Sequence, residues 1–174
     1  MVLGDLSIIT ENLSDFASLR FKNIHRQDAM TQGNKQKILA VNPYYLMTKE
    51  EYERLAKEIF LACLEVHKIM GPGLLESVYE LCLMKELQLR NVLAENQVAI
   101  PLIFKGFELS KEYRIDILVE KEIIIELKAV EGILPIHEAQ LISYLKLAEK
   151  KLGFLVNFNV PVIKSGFRRF VNNY

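Results

Sequence analysis

Residues Tyr113–Lys128 read YRIDILVEKEIIIELK, and the fold follows from how this stretch pairs with itself. Two apolar, β-branched runs, Tyr113–Val119 and Ile123–Lys128, flank the charged triplet Glu120-Lys121-Glu122. Period-2 alternation broken by a short polar segment predicts an antiparallel hairpin. Ile115, Ile117 and Val119 then share one face with Ile123, Ile125 and Leu127. Arg114, Asp116 and Leu118 share the other with Ile124, Glu126 and Lys128. With residues 120–122 as the loop, Val119 faces Ile123 and Asp116 lies across from Glu126, Cβ atoms roughly 5 Å apart. Two facing carboxylates in an apolar hairpin repel each other and are costly to desolvate. A divalent cation relieves both effects, and Lys128 beside the pair offsets them too. This is the arrangement of a metal-dependent phosphodiesterase site.

The composition fits one globular domain. At 174 residues, with 51% hydrophobic and 25% charged residues, the chain can bury a substantial core. No apolar run approaches the ~20 residues of a membrane span and no signal-peptide pattern opens the chain, so a cytoplasmic location is expected. Cys63 and Cys82 lack CxxC spacing and read as core thiols. The formal net charge of zero argues against tight nonspecific nucleic-acid binding but leaves room for a local basic groove. From Met47 onward Asp116 is the only aspartate among many glutamates. Aspartate is a poor strand former, so its presence inside an apolar strand asks for a reason.

Residues 1–46 have weak periodicity and a polar tract at Thr31–Lys37. They read as an N-terminal extension, flexible or appended, ahead of a working domain over 47–174. Thr48 and Glu51 form a capping box that opens an amphipathic helix over 49–70. His67 lies at the edge of its apolar stripe and reads as a hydrogen-bonded core-edge residue. Gly71-Pro72-Gly73 stops this helix, and a second runs from about Leu74 to Arg90, with Glu76 in its first turn. Glu95–Phe104, with Pro101 inside, predicts an edge strand; Lys105-Gly106 turns, and Phe107-Glu108-Leu109 starts a return before the central hairpin. Pro135 opens a third helix over about Ile136–Lys150. His137, Gln140 and Tyr144 share one stripe of it, which reads as solvated surface or as part of a site. Gly153–Phe158 predicts a buried strand and Gly166–Val171 a last edge strand. Its Arg168 and Arg169, set between Phe167 and Phe170, read as surface residues or as phosphate contacts.

Asp116, nine residues, then Glu126-Leu127-Lys128 resembles the PD-(D/E)xK nuclease superfamily. Gly73-x-x-Glu76-x-x-Tyr79 looks like the signature of its bacterial GxxExxY family. Gln140-x-x-x-Tyr144 resembles the helix motif of the nuclease domains of bacterial recombination helicase–nucleases. Gly153-Phe-Leu-Val-Asn-Phe and Gly166-Phe-Arg-Arg-Phe-Val-Asn look like the family's closing segments. The resemblance covers about residues 50–173. It implies an α/β fold (α+β by some schemes), a restriction-endonuclease-like core with a central mixed β-sheet flanked by helices.

By this resemblance Asp116 and Glu126 bind a divalent ion, with the Leu127 carbonyl as a further ligand and Glu76 approaching from its helix. Hard oxygen ligands without a Cys or His pair fit Mg²⁺ or Mn²⁺ better than Zn²⁺. Lys128 would position the attacking water and stabilise charge on the phosphate. Gln140 and Tyr144 would orient the phosphate or Lys128, with Tyr79 and His137 as further positioning candidates. The implied activity is metal-dependent hydrolysis of nucleic acid, DNA ahead of RNA, with a homodimer as one way to cut both strands. Two readings compete with it. One is a nuclease fold used for nucleic-acid binding or assembly, with cleavage weak or lost. The other is a globular protein whose D…ExK is a structural salt-bridge cluster.

Overall fold

The computed structural model describes residues 47–173; the extension expected over 1–46 lies outside them. The chain divides into two units between Arg54 and Leu55, and the fold below, apart from the first turns of the helix that begins at Lys49, is that of the unit containing Leu55 onward.

Helix α1 spans Lys49–Met70 and starts on the expected capping box. The Glu51 N–H donates to Thr48 Oγ1 at 3.3 Å, and the Thr48 N–H donates to Glu51 Oε2 at 3.0 Å. Gly71 and Gly73 take left-handed φ values of 67° and 96°, which side chains rarely tolerate, and so turn the chain into helix α2, Glu76–Leu89. The helix begins at Glu76 and not at Leu74, because Leu74 and Leu75 belong to the turn. Arg90 ties the two helices, meeting Glu86 at 2.7 Å and Glu58 at 3.3 Å. Cys63 is buried, which pushes its thiol pKa up, and both cysteines are free.

Five strands form one mixed sheet among the described residues, in the order β1-β2-β3-β4-β5. These are β1 (Ala94–Phe104), β2 (Phe107–Val119), β3 (Ile123–Lys128), β4 (Leu152–Asn157) and β5 (Phe167–Val171). The first two are one long ribbon turned at Lys105-Gly106, whose φ values of 51° and 82° suit a two-residue hairpin. The return at Phe107 and the strand of the central hairpin are thus a single strand, where the sequence reading separated them. The β2–β3 hairpin has the expected register, Val119↔Ile123, Leu118↔Ile124 and Ile117↔Ile125. Helix α3, Pro135–Leu147, carries the chain across to β4, which runs parallel to β3. A single turn, α4 (Ile163–Gly166), precedes β5. Gly166 therefore closes a helical turn and does not open the last strand. A Cβ there would come within 2.1 Å of the Asn157 carbonyl oxygen, so the backbone needs glycine. The layering is the mixed sheet flanked by helices that the resemblance implies.

One face of the sheet packs against α3. Its core joins Leu118, Ile124, Leu155 and Phe170 to Leu141, Tyr144 and Leu145. Ile100 and Ile115 belong to the same cluster, although strict alternation places Ile115 on the opposite face from Leu118. The reason lies between them. Gln97 takes a left-handed φ of 53°, and the β1–β2 pairing passes from Asn96↔Ile117 to Val98↔Ile115 without pairing Gln97 and Asp116. The period slips here, at Asp116. On the other face Tyr79 stacks on Phe158 at 4.5 Å, and Phe167 contacts both Phe60 and Phe154. Of the two arginines on β5, Arg168 is exposed and paired with Glu138, whereas Arg169 is buried, contrary to the surface reading. No helix among the described residues is long and apolar enough to cross a membrane.

Candidate active site

Asp116 stands at the slip in β2, one step beyond the last hairpin pair, and this is where β2 and β3 exchange a side chain for a backbone bond. The Leu127 N–H donates to Asp116 Oδ2 at 2.8 Å. Backbone groups alternate along a strand, and the Lys128 C=O accepts from the Phe158 N–H at 2.8 Å on the β4 side. The N–H and C=O of Leu127 are therefore turned toward β2 and Asp116. Glu126 is buried, with one oxygen bound to Lys128 Nζ at 2.6 Å and the other, Oε2, without a hydrogen-bond partner. Glu76, in the first turn of α2, accepts from the Ala129 N–H through Oε1 at 3.0 Å. Three carboxylates from two strands and a helix thus gather on four consecutive residues, 126–129.

The electrostatics record the crowding. Burial pushes Glu126 up to about 7, and the charges of Asp116 and Glu76 push the same way, against the pull of Lys128. Burial also raises Asp116, opposed by the Leu127 amide and Lys128 and assisted by Glu80 and Glu76. For Lys128 burial acts to lower the pKa, but the bond to Glu126 and the surrounding carboxylates outweigh it and the net direction is upward. Tyr144 is raised by burial, with Glu126 and Asp116 adding to the effect, which places its hydroxyl within the field of the cluster.

The donors are all oxygens. Glu126 Oε2 is a buried acceptor lacking a partner, Asp116 presents a second carboxylate, and the Leu127 carbonyl is turned the same way. Among the described residues no group of three or more His, Cys, Asp or Glu could by itself hold a metal ion. A hard cation that keeps several waters needs only one or two carboxylates, so the residues present fit Mg²⁺ or Mn²⁺.

The model of the PD-(D/E)XK nuclease superfamily matches residues 53–170. The chain belongs to this superfamily. Searches of curated proteins and of solved structures returned no match. The match takes in both arms of the site, from the helix bearing Glu76 to the strand after α3, and superfamily membership gives the gathered carboxylates and lysine a hydrolytic context.

Not every expected residue reaches this cluster. Gln140 does so through Tyr144, its Nε2 donating to the Tyr144 hydroxyl at 3.0 Å. That pair is no solvated stripe, since Tyr144 is buried in the α3 core. His137 is engaged locally, its Nδ1 accepting from the Leu134 N–H at 3.2 Å at the start of α3. Tyr79 is a correction. It is fully buried and its hydroxyl donates to the Gly71 C=O at 2.7 Å and accepts from the Leu74 N–H at 3.1 Å. A side chain so enclosed cannot touch a substrate; it holds the turn that aims Glu76. His67 is hydrogen-bonded at the edge of the core as expected, its Nε2 donating to the Val160 carbonyl oxygen at 2.8 Å.

Two residues beside the site were missed. Glu80, one turn after Glu76, accepts from Asn96 and Gln97 at 2.7 Å each and pins β1 opposite Asp116. The i,i+4 spacing from Glu76 was the available signal. Asn157 is buried at the end of β4; its Oδ1 accepts from the Val130 and Asn159 N–H groups and its Nδ2 donates to the Val130 C=O. It fastens the segment after Lys128 whose Ala129 N–H meets Glu76. Only the parallel register Lys128↔Asn157 reveals that proximity.

Proposed function

We propose that the protein is a metal-dependent nuclease that hydrolyses phosphodiester bonds, DNA ahead of RNA, of the GxxExxY type within its superfamily. The observation that carries this reading is the buried, unpartnered Oε2 of Glu126 beside Asp116 and Lys128. A purely structural ion-pair cluster would satisfy both oxygens of a buried carboxylate, because an orphaned one is costly.

Asp116, Glu126 and the Leu127 carbonyl would hold Mg²⁺ or Mn²⁺, with Glu76 nearby. The ion, when bound, polarises a phosphodiester oxygen and lowers the pKa of water. Asp116 is held in place by the Leu127 amide, so its remaining oxygen keeps a set direction. Lys128, cationic and anchored on Glu126, binds the phosphate and stabilises charge that grows on it. The Gln140–Tyr144 pair orients the substrate phosphate beside Lys128. His137 stands at the N-terminal end of the same helix and fixes its first turn. The chain would work in the cytoplasm, alone or as a homodimer where both strands of a duplex are cut.

The test is a cleavage panel on single-stranded, duplex and branched DNA and RNA with Mg²⁺, Mn²⁺ or EDTA. Cleavage that needs the metal and is lost in Asp116→Ala and Glu126→Ala supports the reading. Metal-independent binding without cutting by any preparation would leave the nucleic-acid-binding alternative in its place.

A further inference from the structure

The β1–β2 ribbon extends well past the core. Register places Ile100 opposite Tyr113, Leu102 opposite Leu109 and Phe104 opposite Phe107. Two extra residues on β2, Ser110 and Lys111, fall between the first two pairs, so the parity of the faces is kept. These six side chains therefore form one continuous apolar stripe. Its inner end is Ile100, part of the α3-side core, and its outer end lies roughly 13 Å beyond Tyr113 along the ribbon. Phe104, Phe107, Leu109 and Tyr113 are 60%, 72%, 43% and 44% exposed.

The stripe starts at the candidate site. Tyr113 packs against Tyr144 with ring centroids 5.7 Å apart, and Tyr144 lies in the field of Glu126 and Asp116. Ile124, Glu126 and Lys128 share the α3-side face of β3 by alternation, so the ribbon stripe lies on the same side of the sheet as Glu126 and Lys128. At the turn, Lys105 stands over the Phe104 ring at 5.5 Å, placing a cation beside the aromatic pair.

A second copy of the chain fits this surface poorly. The exposed parts of the four side chains amount to roughly 400 Å², about half of what a stable dimer buries on each partner. The outer edge of β1 is also a poor template for strand addition, interrupted by Pro101 and by the left-handed Gln97. An intact duplex offers phosphates, and a neutral chain with a mostly apolar ribbon offers few charges to meet them. Unpaired bases offer flat π-faces, which aromatic side chains stack upon.

We propose that the apolar face of this ribbon is a stacking platform for unpaired bases, so that the site takes single-stranded or branched nucleic acid in preference to intact duplex. The proposal rests on the nuclease reading and names its substrate class.

Binding and cutting are measured separately. Fluorescence anisotropy in EDTA compares a labelled single strand, a fork and a blunt duplex of one sequence, and cleavage of the same three is followed with Mn²⁺. The expected result is at least tenfold tighter binding of the single strand and fork than of the duplex. Phe104→Ala and Phe107→Ala should each weaken that binding roughly tenfold. Phe107→Leu should weaken it as well, because it keeps apolar area but loses the ring, while Ile103→Ser on the opposite face should leave it unchanged. Duplex bound and cut as well as single strand, or ring variants that bind normally, would overturn the proposal. So would ring variants that convert a dimer to a monomer in light scattering without altering oligonucleotide affinity. Ring-dependent single-strand binding with no cleavage of any substrate would retain the platform and reject the nuclease.

Discussion

Lys128 Nζ lies 2.6 Å from Oε1 of Glu126, while Oε2 of the same buried carboxylate has no hydrogen-bond partner. The lysine neutralises half of the group and leaves the other half without a partner. In the proposed nuclease reading this one contact serves both stability and chemistry.

Lys128→Met separates the two. It strands Glu126 without a counter-charge, and removal of one partner of a buried pair costs about 3–5 kcal/mol. Unfolding in urea at pH 8 with EDTA should show a loss of that order, and added Mn²⁺ should restore part of it. Cleavage should fall by roughly 10²–10³ even with saturating metal. Unchanged cleavage by a folded variant would remove Lys128 from the chemistry.

The raised pKa of Glu126 sets a pH dependence of stability. The unfolded carboxyl titrates at its ordinary value near 4.5 and the folded one near 7, so the folded state holds the extra proton. The sign follows: stability contributed by Glu126 is highest below about pH 4.5 and declines as pH rises through about 7. In EDTA the wild type should lose up to about 3 kcal/mol across that window from this group, and Glu126→Gln should flatten the profile. Mg²⁺ should flatten it in the wild type alone. Parallel profiles for wild type and variant would show that the group is not buried in its charged form.

Asn157→Ala leaves two N–H groups and the Val130 C=O without their side-chain partner. The expected cost is about 1–3 kcal/mol in urea unfolding. The loosened segment also carries the Ala129 N–H that donates to Glu76, so Mn²⁺ affinity measured by calorimetry should fall too. A destabilised variant with normal metal affinity would confine Asn157 to a structural role.

Gly166→Ala and Gly132→Ala form a matched pair. A methyl at 166 meets the Asn157 carbonyl oxygen at 2.1 Å, whereas nothing lies within 4 Å of one at 132. The first should destabilise by about 3 kcal/mol or fail to fold, and the second should stay within about 0.5 kcal/mol of wild type. Equal melting temperatures for the two would refute the close approach.

Much of this was legible in the chain. The β-branched runs around Glu120-Lys121-Glu122 predict the hairpin and its register, because burial of one face penalises any slip. The capping box at Thr48 and Glu51, the Gly71–Gly73 break and Pro135 at the start of α3 are local signals and appear where expected. The buried Arg169 was not legible, since its alternation with Arg168 reads the same whether the strand edge is covered or bare. Tyr79 misleads for a related reason. Its spacing from Glu76 says that the two are near, not that Tyr79 points inward at Phe158.

By itself the sequence determined that an isolated aspartate and an ExK share a hairpin in a neutral, globular chain, because strand periodicity and turn chemistry are properties of neighbouring residues. Only the tertiary structure decided that the period slips at Asp116, that Glu76 reaches Ala129, and that Asn157 fastens the segment between them. Those relationships join residues far apart along the chain, through a parallel crossover and a helix packed across strand ends, and no local pattern encodes them.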